Sequence, residues 1–222
     1  MGSQLYLDPV YKRVHPVQII QMDKIAFFDF DGTITEKDTL LEFIIFTKGK
    51  MNFYKGFLLK SPWLVAYKIK LISNQRAKEA VMRFFFGKMS VALFEEHCLR
   101  FATERIPGLV RPKAGKEIDA LQEKGFSVVI VSASPGNWIL PWARTIQADL
   151  IATRLETRTD AGGQERLTGK ISGKNCHGEE KVQRIRQQFK LEDYQPIHAY
   201  GDSAGDRPML ALAHHSFMKP FR

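Results

Sequence analysis

The 222-residue sequence contains only two cysteines, Cys98 and Cys176. Two are too few for a disulfide framework, and neither sits in a paired metal-ligand spacing, which excludes a stapled secreted scaffold and a cysteine-based zinc module. Free thiols suit a reducing compartment, most simply the cytoplasm. Long apolar runs are also missing. A spanning helix needs roughly 20 mostly apolar residues, and the stretch that comes nearest, Gly125 to Ala143, carries Gly, Ser, Asn and two Pro. It reads better as a buried strand, a turn and a helix start. No secretory signal opens the chain, because residues 1–21 mix charge, Pro and polar groups. They read as an extension ahead of the fold, tag-like in Met1-Gly2-Ser3. Acidic charge is the scarcer sign, with 24 Asp and Glu against 33 Lys and Arg, for a net +9. Such a surplus attracts phosphate, nucleic acid or an anionic membrane surface without choosing a fold. What remains is ordinary globular composition, 44% hydrophobic and 26% charged, long enough for one domain with an insertion.

Short apolar runs supply the strands. Lys24–Phe30 ends in acidic residues and Gly32, and Ser127–Val131 runs into Ser132-Ala133-Ser134-Pro135-Gly136. Asp149–Ala152 and Ile197–Tyr200 are weaker runs of the same kind. Helical patterns separate them at Lys113–Lys124, Trp138–Ile146, Glu179–Phe189 and Arg207–Ala213. Strands alternating with helices predict an α/β fold with a Rossmann-like parallel sheet covered on both faces. Thr153–Ser172 alternates polar and apolar residues around Asp160-Ala161-Gly162-Gly163, which predicts a hairpin beside that sheet. Residues 36–105 lack any buried-strand run and are rich in Phe, Leu, Ile and Lys, so they read as a helical cap inserted after the first strand. The core is then 22–35 together with 106–222.

Ligands of such sheets bind beyond the C-terminal strand ends, and three ends here carry suitable groups. Asp29-Phe30-Asp31-Gly32-Thr33 places two carboxylates around one apolar residue, with Gly32 free to turn sharply. Ser132 offers a hydroxyl and the amide that follows it. Gly201-Asp202-Ser203-Ala204-Gly205-Asp206 is a second acidic loop between a strand and a helix. Converging carboxylates repel unless a cation joins them, and Mg2+ suits a few carboxylates plus a phosphate oxygen. Lys181, early in its helix, supplies further positive charge. Taken singly these residues have ordinary readings too: Ser132 as a strand-ending hydroxyl, Lys181 as a solvated helix lysine, Ser134-Pro135 as a helix start.

With these residues in this order, the sequence resembles the haloacid dehalogenase superfamily of phosphotransferases from Met22 onward. Within it, the likeness is to the phosphoserine-phosphatase-like branch with a helical cap. Asp29 through Thr33 look like the first motif, Ser132 the second, Lys181 the third, and Asp202 with Asp206 the fourth. The resemblance implies a phosphomonoester hydrolase in which Asp29 accepts the phosphoryl group and Asp31 serves as general acid and base. It further implies that Asp29, the backbone carbonyl of Asp31 and Asp202 hold Mg2+, with Asp206 behind them. Gly32, Thr33, Ser132, Ala133 and Lys181 then bind the phosphoryl oxygens. One departure stands out: His177 precedes Gly178 where the family often has the lysine. The pattern Gly178-Glu179-Glu180-Lys181-Val182 fits other members, leaving Lys174 as the reserve choice.

Substrate selection falls to the cap, where Asp38 and, from the core loop, Ser134 are candidate contacts. Asp38 also fits the N-terminus of a helix over Thr39–Phe46. Lys48, Lys50, Lys55, Lys60, Lys68 and Lys70 interleave with Phe53, Phe57, Leu58, Leu59, Trp63, Leu64 and Tyr67. That pattern fits a surface meeting anionic lipid headgroups, and equally a helix that buries one face and solvates its lysines. The wording around Ser132-Ala133-Ser134-Pro135 and Asp206-Arg207-Pro208-Met209-Leu210 is similar to bacterial phosphatidylglycerophosphatases, which implies a lipid phosphate ester at the inner membrane face. A phosphoserine phosphatase and a small-molecule ester are the alternatives. A basic binding module is disfavoured, since the acidic strand ends repel nucleic acid and no stacking or recognition-helix motif appears. No nucleic-acid partner is expected. Dehalogenation, which the resemblance also raises, needs neither the second Asp nor the fourth motif, and both are present.

Overall fold

The expected alternation is realised as a five-stranded sheet of order β3-β2-β1-β6-β7 in which every neighbouring pair is parallel. The computed structural model describes residues 23–68 and 71–222, without the side chains of 60–68. The leader reading of 1–21 lies outside those residues, as do the side chains of Lys60, Trp63, Leu64, Tyr67 and Lys68 and the whole of Lys70. The strands are β1 (Asp23–Phe28), β2 (Phe126–Pro135), β3 (Asp149–Thr153), β6 (Tyr194–Gly201) and β7 (His215–Met218). Alternate strand residues feed two separate cores, as strands covered on both faces require. Ile25, Phe27, Val129 and Val131 pack with Ile185 and Met209 on one face. Ala26, Phe28, Val128 and Ile130 pack with Trp138 and Tyr200 on the other.

The helical cap consists of α1 (Thr39–Lys68), α2 (Asn74–Phe86) and α3 (Val91–Glu104). It shares one of the sheet's two cores. Phe43 stacks on Trp138 of the core at 4.6 Å and meets Phe86, Phe94 and Phe101 edge-on or tilted at 5.2–5.5 Å. α1 outruns the short helix expected there. It continues past Gly49, whose φ of +78° breaks the helical geometry and bends the element. The core helices α4 (Pro112–Glu123), α5 (Gly136–Thr145) and α6 (Glu179–Gln188) fall where expected, while α7 (Arg207–Leu210) stops short of Ala213.

The hairpin of β4 (Leu155–Thr159) and β5 (Glu165–Ile171) forms its own two-stranded sheet. It leans on the cap: Lys88 donates to the Leu167 carbonyl at 2.8 Å, Leu167 to that of Met89 at 2.9 Å, and Ile171 to Glu79 at 3.1 Å. Strand β1 ends at Phe28, two residues before the sequence suggested, because the chain turns at Asp29 toward Gly32. The sheet order reverses between β1 and β6, leaving a crevice at their C-terminal ends. That is where an open α/β sheet admits a ligand.

Candidate active site

Asp29 leaves β1 at this crevice, its amide still donating to the Tyr200 carbonyl of β6 at 2.9 Å. Its carboxylate is fixed from two sides. Lys181 Nζ meets one oxygen at 2.6 Å and Thr33 Oγ1 donates to the other at 3.0 Å. Between them Gly32 adopts φ +85°, and a Cβ there would stand 2.6 Å from Asp202 Oδ2. The close passage of the two acidic loops therefore needs a residue without a side chain. Asp31 turns the other way. Its Oδ1 accepts from both the amide and the hydroxyl of Thr39 at 2.6 Å, and Ser132 Oγ lies 3.4 Å from its Oδ2. Thr39 opens α1, so this carboxylate links the core to the cap. Any share of Asp31 in metal binding is left to its backbone carbonyl.

Lys181 belongs to the first turn of α6 and is 1% exposed. It also reaches Asp206 Oδ1 at 2.7 Å, while Asp206 Oδ2 accepts from the amides of Asp202 and Ser203 and from Ser203 Oγ at 2.8–3.2 Å. One ammonium thus serves two buried carboxylates. Burial alone would lower Lys181, yet Asp29 and Asp206 together hold it above its ordinary value. Burial likewise opposes ionisation of Asp206, but Lys181 and the Ser203 donors keep it below the usual carboxylate range. Asp29 is the group left short. Burial pushes it up to about 7 against the pull of Lys181, with Asp206 and Asp31 adding repulsion. Asp202 is raised by burial and by Asp206, and Arg222 bonded to its Oδ2 offsets this in part.

One oxygen from each of Asp29, Asp202 and Asp206 lies within 4.8 Å of the others. Hard oxygen donors, an unbalanced negative charge and a glycine-lined approach fit a small divalent cation such as Mg2+. Asp206 accepts four hydrogen bonds from protein donors against two for Asp29 and one for Asp202, so Asp29 and Asp202 keep more lone pairs open to an ion, with Asp206 aligning them.

The structure brings Asp29, Asp31, Gly32, Thr33, Ser132, Lys181, Asp202 and Asp206 into one site. Lys174 is exposed, and its backbone carbonyl accepts from Arg184 at 2.6 Å, so it stays outside. Ser134 is buried with its amide on Ser132 Oγ at 3.0 Å. It does not cap α5, whose N-terminus at Pro135 has no side-chain bond. Asp38 does cap α1 through Leu41 N at 3.2 Å, and its carboxyl also stands near the site. Asp38 is exposed, yet partial desolvation by the protein around its carboxyl, with the charge of Asp31, pushes it up to about 6.

Four partners carried no signal in the sequence: Thr39, Lys78, Asn175 and Arg222. Lys78 projects from α2 of the cap onto the Ala133 carbonyl at 2.7 Å, 3.5 Å from Asn175 Oδ1. Burial lowers it, against the pull of Asp31 and Asp38. Asn175 in turn donates to Asn74 at 2.7 Å. These bonds join the first turns of α2 to the core, and only the tertiary fold reveals them. A separate groove of about 900 Å³ runs beside β3 between α5 and α6. Asp29, Asp31, Asp202 and Asp206 all lie outside its lining, so its size does not mark the chemistry. Cys98 and Cys176 are buried and free, and burial pushes the Cys176 thiol up to about 11.

Comparison with known proteins agrees with this fold. The chain is 38% identical over 196 residues to protein CicA of Caulobacter vibrioides, a match covering 88% of this chain and 85% of that protein. In fold it is similar to a Bordetella pertussis protein of unknown function, with a TM-score of 0.76 at 22% identity, covering 89% and 90% of the two chains. It is also similar to a phosphoserine phosphatase solved as a phospho-aspartyl intermediate analogue, with a TM-score of 0.62 at 18% identity over 89% and 87%. Residues 26–211 match the family of haloacid dehalogenase-like hydrolases. This chain belongs to that family.

Proposed function

We propose that the protein is a Mg2+-dependent phosphomonoesterase working through an aspartyl-phosphate on Asp29. The observation that carries this reading is the Asp29 carboxylate itself, held at a strand end by Lys181 and Thr33, with Asp31 near enough to repel it and Ser132 bonded to Asp31. A bound phosphate monoester would place its oxygens against Lys181, Thr33 and Ser132, groups arranged to balance its charge. An Asp29 oxygen attacks phosphorus, forming an O–P bond as the ester O–P bond breaks. Asp31, oriented by the two donors of Thr39, gives its proton to the departing oxygen. It then takes a proton from the water that attacks the aspartyl-phosphate, which releases inorganic phosphate and restores Asp29. Mg2+ at Asp29 and Asp202 would neutralise charge between attacking carboxylate and phosphate.

The leaving group would extend toward the cap, past Asp38 and Lys78. Phosphoserine is the substrate suggested by the phosphatase of similar fold, whereas the motif wording favours a lipid phosphate such as phosphatidylglycerophosphate. A reducing, cytoplasmic setting accords with two buried free thiols, and no helix among the described residues is long and apolar enough to cross a membrane. The test is phosphate release from a panel of esters that includes both compounds, with Mg2+ and with chelator. Metal-dependent release from at least one ester is expected. No release from any of them refutes the reading.

A further inference from the structure

Beyond Gly49, α1 has apolar residues on two faces. Phe53 and Phe57 turn inward against the core cluster, Phe57 lies 6.3 Å from Phe85, and Gly56 between them is buried. These residues are enough to hold the helix on the cap. The outward face repeats the pattern where packing does not require it: Met51, Tyr54 and Leu59 are 66–70% exposed. Monomeric surfaces rarely group large apolar side chains in this way unless something covers them.

Charge indicates what does. From 43 to 70 the sequence holds six Lys and no Asp or Glu, a local charge of +6 in a chain whose net charge is +9. Lys50 and Lys55 are exposed beside the apolar residues, and none of the ion pairs among the described residues engages them. Lys48 lies over the Phe86 ring at 5.3 Å, its stem along apolar surface. A second copy of the chain is a poor match for this face, because a two-fold contact would set the same uncompensated lysines against each other. Nucleic acid would satisfy the charge but leave Met51 and Leu59 in water.

We propose that the outer face of α1 between Gly49 and Leu59 docks on an anionic phospholipid bilayer. Met51, Tyr54 and Leu59 enter the headgroup boundary, and Lys50 and Lys55 meet the lipid phosphates. The inference stands apart from the hydrolytic reading, since neither the patch nor its charge takes part in the chemistry.

Sedimentation of the full chain with vesicles tests it. Vesicles of equal parts phosphatidylglycerol and phosphatidylcholine are compared with phosphatidylcholine alone, at low and high salt. The wild-type protein is expected to bind the mixed vesicles, to release at high salt, and to ignore the neutral ones. The triple variant Met51→Ser/Tyr54→Ser/Leu59→Ser loses roughly tenfold or more in binding, and Lys50→Glu/Lys55→Glu a similar factor. Both should keep the wild-type circular dichroism and leave turnover of a soluble phosphate ester unchanged. No preference of the wild type for anionic vesicles, or undiminished binding by both variants, overturns the proposal. So does a dimer in light scattering that the triple variant disperses. Because vesicle binding is read without hydrolysis, its failure is distinct from failure of the phosphatase reading.

Discussion

Lys181→Met removes the one buried cation shared by Asp29 and Asp206 while keeping most of the side-chain volume. The ammonium is 1% exposed and within 2.7 Å of both carboxylates, so no water can replace it without opening the core. Removing one partner of a buried ion pair costs about 3–5 kcal/mol. For a chain of this size that corresponds to roughly 6–20 °C in melting temperature. The loss depends on pH with a definite sign. Without Lys181 both carboxylates have folded-state affinities for protons above those of the unfolded chain. The penalty is smallest in acid, once the carboxylates are protonated in the wild type as well as in the variant, and grows as pH rises. Mg2+ should recover part of it by replacing the missing charge. Urea unfolding in chelator at pH 5 and pH 8, followed by circular dichroism, reads all of this directly. Equal stability of variant and wild type at pH 8 in chelator would refute the account of the buried charge triad.

Gly32→Ala would drive a methyl into Asp202 at a φ of +85°, so it should abolish the stabilisation by Mg2+ seen in thermal melts. Asp202→Asn should greatly weaken that same stabilisation, because a direct ligand loses its charge. Phe43→Ala empties the aromatic junction of cap and core and should destabilise by about 3–5 kcal/mol in urea titration. Lys78→Met cuts the bond to the Ala133 carbonyl, and hydrogen exchange in the first turns of α2 should quicken.

The chemistry of the strand ends was legible because it is local. Asp29-Phe30-Asp31-Gly32-Thr33 and Gly201 through Asp206 each carry their own turn, and the apolar runs before them can only be buried strands. Lys181 was legible through its spacing from Gly178. The contacts that cross the fold were not. Lys78 is one lysine among many in a basic cap, and only the packing of α2 sets it on the Ala133 carbonyl. β7, which is short and exposed, has no pattern of its own and becomes a strand by pairing with β6. α1 runs well beyond the expected Phe46, because Gly49 bends the helix and the chain continues as a helix past it. Ser134-Pro135 resembled a helix start, but the serine is drawn into the buried end of β2.

Mass spectrometry of acid-quenched protein tests the central claim most directly. Asp31→Asn removes the group that activates water, and p-nitrophenyl phosphate has a leaving group good enough to depart without an acid. With that variant and ester in Mg2+, a phosphoryl group should accumulate on the peptide containing Asp29 and disappear in Asp29→Asn. Phosphate release by the wild type with no modified Asp29 peptide in the variant, or continued turnover by Asp29→Asn, would contradict it.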